Sequence, residues 1–111
     1  MSKPVDLVQG TLDVLLLKVI ALEPQHGWAI SQRLRQISGD ELQASDGSIY
    51  PALQKLELAG WIRSEWRITD LGRRAKFYTL TPPGRRKLNE ELDEWWGLSA
   101  AITRVLRLKE L

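Results

Sequence analysis

The sequence predicts a mainly α fold with a small β-hairpin: a winged helix-turn-helix in α-α-α-β-β order, followed by a long C-terminal dimerisation helix. Three observations predict it. Apolar residues recur at helical spacing in three short segments of residues 1–60. A basic, alternating stretch bent at a glycine follows over residues 61–81, and a seam of 4,3,4,3,4 spacing then runs to residue 106.

A chain of 111 residues is expected to form one domain with an added helix, and 43% hydrophobic content is ordinary for a globular core. Cysteine is absent, so neither a disulfide framework nor a thiolate metal site is available, which suits a reducing cytoplasm. Asp6 and Pro4 precede the first apolar run, unlike a signal peptide. The run Leu12–Leu22 carries Asp13 and Lys18 and is too short for a bilayer. A cytoplasmic protein with no membrane partner is expected.

Residues 11–22 read as a helix apolar on nearly every side, which must be covered on more than one face. A second subunit or another long helix is the expected cover. Pro24 ends this helix and Gln25-His26-Gly27 makes the turn. Residues 27–38 form the second helix, with Ile30, Leu34 and Ile37 inward, and Trp28 read as a packing residue. In the third, residues 47–59, Ile49, Leu53 and Leu56 fall at i, i+4 and i+7 with Ala52 beside them. Asp46 to Ser48 offers N-cap chemistry, Gly60 a stop, and Pro51 fits only if it lies in the first turn. The outward face then carries Ser48, Tyr50, Gln54 and Lys55, group types that meet phosphates and base edges, and Pro51 joins them among the expected DNA contacts.

Residues 61–68 alternate, with Ile62, Trp66 and Ile68 on one side and Arg63, Glu65 and Arg67 on the other. Thr69–Arg73 is a loop, and 74–81 return with Tyr78 and Leu80 inward. Charge sharpens this reading. Residues 61–87 hold eight Lys/Arg against two Asp/Glu, whereas the segments before and after are each net −2, within a total of +2. A concentrated basic segment beside a polar helix face suits a polyanion, with Arg67, Arg73, Arg74 and Lys76 as wing contacts. A hairpin merely solubilised by arginines is the competing reading.

Thr81 caps the last helix, with proline in its first turn. Over residues 83–108 it would extend roughly 39 Å at 1.5 Å per residue. Leu88, Leu92, Trp95, Ser99, Ile102 and Leu106 form the seam, and Leu98, Ala101, Val105 and Leu108 widen it. So much apolar surface needs a partner. The dimerisation residues are expected to be Leu12, Leu16, Leu88, Leu92, Trp95, Ile102, Val105 and Leu106. Gly97 inside the helix costs about 1 kcal/mol against Ala, hinting at a kink or a close backbone approach.

Four motifs, in order, are Leu7-Val8-Gln9-Gly10-Thr11-Leu12-Asp13, His26-Gly27-Trp28-Ala29-Ile30, Gly47-Ser48-Ile49-Tyr50-Pro51-Ala52-Leu53 and Gly72-Arg73-Arg74-Ala75-Lys76-Phe77-Tyr78-Thr79-Leu80-Thr81. Together they resemble the PadR family of transcriptional regulators, over about residues 7–106. Trp28 and Ile49 depart conservatively from the family's usual Tyr and Leu. The resemblance implies a bacterial, dimeric winged-helix protein that binds double-stranded DNA, usually a repressor, of the short class with a single C-terminal helix. Residues 7–81 would form the DNA-binding domain and 82–108 the dimerisation helix. The 47–59 helix would enter the major groove of a palindromic operator, with the 69–76 wing on flanking DNA. It further implies a small hydrophobic or aromatic effector held against Trp95 and Trp96 at the dimer interface, although those side chains also suit simple seam packing.

Nothing in the sequence supports an enzyme, a metal or a cofactor. His26 is the one histidine and more readily caps a helix than performs acid–base work, while Glu90, Glu91, Asp93 and Glu94 form the wet face of the last helix. The alternative function is a winged-helix protein-interaction module whose basic hairpin meets an acidic partner.

Overall fold

A computed structural model of the chain describes residues 11–111 in full and residues 5–6 and 9–10 by their backbone. Leu7 and Val8, which open the first motif and the expected DNA-binding domain, lie outside the described residues. The elements run β1 (Val5–Asp6), α1 (Gln9–Leu22), β2 (Gln25–His26), α2 (Gly27–Ile37), β3 (Leu42–Gln43), α3 (Asp46–Leu58), β4 (Ile62–Ile68), β5 (Arg74–Leu80) and α4 (Pro82–Leu106). The fold is thus mainly helical, with a winged helix-turn-helix and a long last helix. Two features add to the expected pattern. β2 pairs antiparallel with β5, making a three-stranded sheet in the order β2-β5-β4, and β1 pairs in parallel with β3.

The core forms where α1 is enclosed by its own chain. Leu12, Leu16, Leu17, Val19 and Ile20 of α1 are buried with Ile30 and Leu34 of α2 and with Ile49, Ala52, Leu53 and Leu56 of α3. Ile62, Tyr78 and Leu88 close it from the sheet and from α4. This corrects the assignment of Leu12, Leu16 and Leu88 to dimerisation. At 1%, 0% and 0% exposure they have no surface left for a second subunit. The sheet and the first half of α4 supply the second cover that the all-apolar helix demanded.

Local chemistry sets each boundary. His26 caps α2 as expected, its Nδ1 accepting from the Ala29 N–H at 3.4 Å. α3 ends in a Schellman turn: Gly60 at φ +81° donates to the Glu57 carbonyl and Trp61 N–H to the Leu56 carbonyl. Thr81 caps α4 by accepting from Gly84 N–H at 3.0 Å. Two packing expectations fail: Trp28 is 61% and Ile37 54% exposed, because α2 turns only Ile30 and Leu34 of its larger apolar residues inward.

Pro51 also needs a correction. α3 starts at Asp46, which puts Pro51 in the second turn, where its ring nitrogen leaves the Gly47 carbonyl without the usual i+4 donor.

Past Leu92, α4 leaves the core. The radius of gyration is 16.0 Å and the long axis 62 Å, against about 13 Å expected of a compact chain near this length. The excess is this projecting helix.

Candidate nucleic-acid interface

The exposed stripe of α3 runs Gly47, Pro51, Gln54 and Leu58, spaced 4,3,4, diametrically opposite the buried Ile49, Ala52, Leu53 and Leu56. Gly47 and Leu58 were not singled out from sequence, although the same spacing rule extends to them. Leu58 is 84% exposed. Gln54 lies on this stripe as expected, with Pro51 beside it, and the Gln54 side chain makes no hydrogen bond among the described residues.

The other three expected contacts stand on its flanks. Lys55 lies about 60° round the helix at 100° per residue, and its Nζ donates to Asp13 Oδ2 of α1 at 2.5 Å. Its charge is therefore engaged within the chain, while the side chain stays 54% exposed at the edge of the outward face. Ser48 is half-buried, accepting from the Ser45 hydroxyl at 3.2 Å. Tyr50 stands on the opposite flank, its ring over the backbone of Gly27, where a Cβ would come within 2.7 Å of Cε1. Only glycine lets that ring sit so close to the start of α2.

The wing is the β4–β5 hairpin, in continuous antiparallel register from Ile62↔Leu80 to Ile68↔Arg74. Its loop closes on itself, Thr69 N–H donating to the Arg73 carbonyl at 2.7 Å and Gly72 N–H to the Thr69 carbonyl at 2.8 Å. Beyond Ile62 the strand outruns the core, so Trp66 and Ile68 are exposed rather than inward, together with Leu71 at the turn. Arg73 stands at the tip. Arg74 packs over the Trp66 ring at 5.0 Å, which holds the guanidinium along the hairpin while leaving its charge on the surface.

The remaining two wing cations are engaged within the chain. Arg67 pairs with Glu65 and lies 5.2 Å over the Phe77 ring. Lys76 points back to α3 and donates to Glu57 Oε1 at 3.5 Å, while Ser64 Oγ donates to Glu57 Oε2 at 2.5 Å. Lys76, expected as a wing contact, is thus tied to α3. Glu57 instead clamps α3 to both wing strands. The same carboxylate reinforces the effect of burial on Tyr78, whose hydroxyl is pushed above the ordinary tyrosine pKa.

The tail carries the other expected contacts. Leu92 is partly buried against the core, whereas Trp95, Ile102, Val105 and Leu106 are 47%, 47%, 68% and 77% exposed. Between α1 and α4 lies an apolar groove of about 470 Å³, lined in part by Val14, Leu15, Leu92, Trp95 and Trp96. At Gly97 no described residue beyond the helix's own backbone and the neighbouring positions lies within 4 Å of where a Cβ would be, so the close approach expected there is not made by the described residues.

Among the described residues no group of His, Asp and Glu could hold a metal ion, and no helix is long and apolar enough to cross a membrane. Three helices, a paired wing and an exposed stripe on the third helix define a winged-helix protein. The chain belongs to the PadR-like family of transcriptional regulators, whose family model matches residues 16–90. It is therefore a DNA-binding regulator and not an enzyme. Its fold is similar to the crystal structure of a PadR-like transcriptional regulator from Bacillus cereus, with TM-score 0.80 and 27% identity over 91% of this chain and 96% of that one. A Streptococcus mutans protein of known structure is similar over the whole of both chains, with TM-score 0.81 and 27% identity. A transcriptional regulator of Mycobacterium tuberculosis is 39% identical over 66 residues, which cover 60% of this chain and 58% of that protein.

Proposed function

We propose that the protein is a cytoplasmic, homodimeric repressor that reads a palindromic operator. Residues 7–81 act as the DNA-binding unit and the 82–108 helix as the dimerisation element. One observation carries the reading: α4 continues well past the core with Trp95, Leu98, Ile102, Val105 and Leu106 uncovered. Apolar surface on that scale marks an interaction site, and two such helices would cover each other. The symmetry of a paired tail then requires two copies of α3 in successive major grooves, about 34–36 Å apart. Arg73 and Arg74 meet the backbone of flanking DNA.

Competitive selection from random duplexes with purified protein tests this. A palindrome with half-sites one helical turn apart is expected, and selection of single, unpaired half-sites would count against it. The double variant Arg73→Ala/Arg74→Ala should lower affinity for all sequences alike and reduce the salt slope by about 1 to 2, close to one for each phosphate no longer neutralised. Tyr50→Ala should weaken operator binding while leaving the dimer folded.

The groove between α1 and α4 supports a second element of the proposal. Its apolar lining, with Trp95 and Trp96 at one side, suits a flat, hydrophobic or aromatic effector bound where the tails meet. Titration with planar dyes should quench tryptophan fluorescence saturably, and a linear, non-saturating response would remove the effector from the account.

A further inference from the structure

The outer stripe of α3 is uncharged, and Lys55 on its flank and Lys76 on the wing are each paired with a carboxylate. Gly47, Pro51, Gln54 and Leu58 offer one amide and three apolar surfaces. On one flank Lys55 is held by Asp13, and on the wing side Lys76 is held by Glu57. Guanine is read in the major groove chiefly by Arg or Lys donating to O6 and N7. This helix presents neither on its exposed line. A side-chain amide instead matches adenine, accepting from N6–H and donating to N7, and apolar carbon matches the thymine methyl.

We propose that Gln54 is the specificity-determining residue of the recognition helix, reading an adenine through N6 and N7, with Pro51 and Leu58 one turn to either side against thymine methyl groups. The operator half-site is therefore A·T at the positions facing the middle of α3. The proposal rests on α3 entering the major groove, the reading given under Proposed function. Three features of the structure support Gln54 over its neighbours. It is exposed at the centre of the stripe, its amide has no partner among the described residues, and the turn beneath it is fixed by Leu53 and Leu56, both fully buried. The base reader thus stands on a rigid element, while the charges beside it tie the helix to its neighbours.

The test is parallel selection from random duplexes with the wild-type chain and with Gln54→Lys, followed by affinity measurements on the selected site. Wild type should select A·T at one symmetric position per half-site, and Gln54→Lys should turn that position to G·C. Replacing that adenine by 7-deazaadenine should weaken wild-type binding at least five-fold and leave Gln54→Ala binding unchanged, a non-additivity that links this side chain to this atom. Circular dichroism of both variants should match wild type, since the Gln54 side chain is exposed and makes no hydrogen bond among the described residues. A wild-type motif that Gln54→Lys retains unaltered, or a 7-deazaadenine loss that persists in Gln54→Ala, would overturn the assignment of Gln54 alone. Failure of the wild-type chain to select any motif would overturn the major-groove reading, and this proposal with it.

Discussion

The two halves of α4 share one apolar seam and meet opposite surroundings. Over residues 82–92, Gly84 and Leu88 are buried and Leu92 is partly covered by the core. Lys87 donates to Glu91 at 2.9 Å and lies 5.0 Å over the Trp61 ring. Over 93–106 the same seam continues, but its larger apolar side chains are exposed. Hydrophobic spacing states that a face will be covered and leaves open what covers it. The first half is covered by α1 and the sheet of its own chain; the second stands exposed.

That contrast can be broken most forcefully at two aliphatic positions, Leu88 and Ile102. Leu88→Ala should cost about 2–5 kcal/mol of folding stability, as removal of fully buried leucines does. Ile102→Asp should leave helicity by circular dichroism intact and instead separate the dimer in sedimentation. A loss of folded signal with Ile102→Asp, at a concentration where the wild type is monomeric, would mean that the tail is part of the monomer's core.

The glycines give the next largest effect. A Cβ at Gly84 would lie 1.8 Å from the Trp61 carbonyl oxygen, a backbone atom whose position is tied by the Thr81 N–H at 3.1 Å. Gly84→Ala should therefore destabilise by about 1–3 kcal/mol through overpacking. Gly97→Ala meets open space within the chain and should stabilise the helix by up to about 1 kcal/mol. Thermal denaturation of the two variants should move in opposite directions. A weaker dimer with Gly97→Ala would sharpen the comparison by placing the partner's backbone at residue 97.

The smallest effect concerns the Lys87–Glu91 pair. Its hydrogen bond to Glu91 raises the Lys87 pKa above the usual lysine value. A raised folded-state pKa means that the stabilisation is fully present below the unfolded value and is lost as pH rises through the folded one. Glu91→Gln should therefore cost about 0.2–0.5 kcal/mol at neutral pH and low salt, as for an exposed i,i+4 pair. In urea melts that difference should fade in strongly alkaline solution.

What could be read in the sequence was local. The order of helices and wing strands, the capping roles of His26 and Thr81 and the stop at Gly60 depend on neighbours within a few residues, and the structure bears them out. The misplacements are long-range. Lys55 finds Asp13 from 42 residues away and Lys76 finds Glu57 from 19, so no spacing rule showed that their charges were spoken for. Leu12 and Leu16 are likewise enclosed by β5 and the start of α4, elements far along the chain that no local spacing joins to α1. Pro51 misled for a different reason: the helix begins at Asp46, early enough to leave the proline a turn inside.

Sedimentation equilibrium of the wild-type chain at micromolar concentration tests the pairing of tails most directly. Two clasped tails require a species of twice the 12.7 kDa chain mass, reduced to single chains by Ile102→Asp. A folded 12.7 kDa species in the wild type would contradict it.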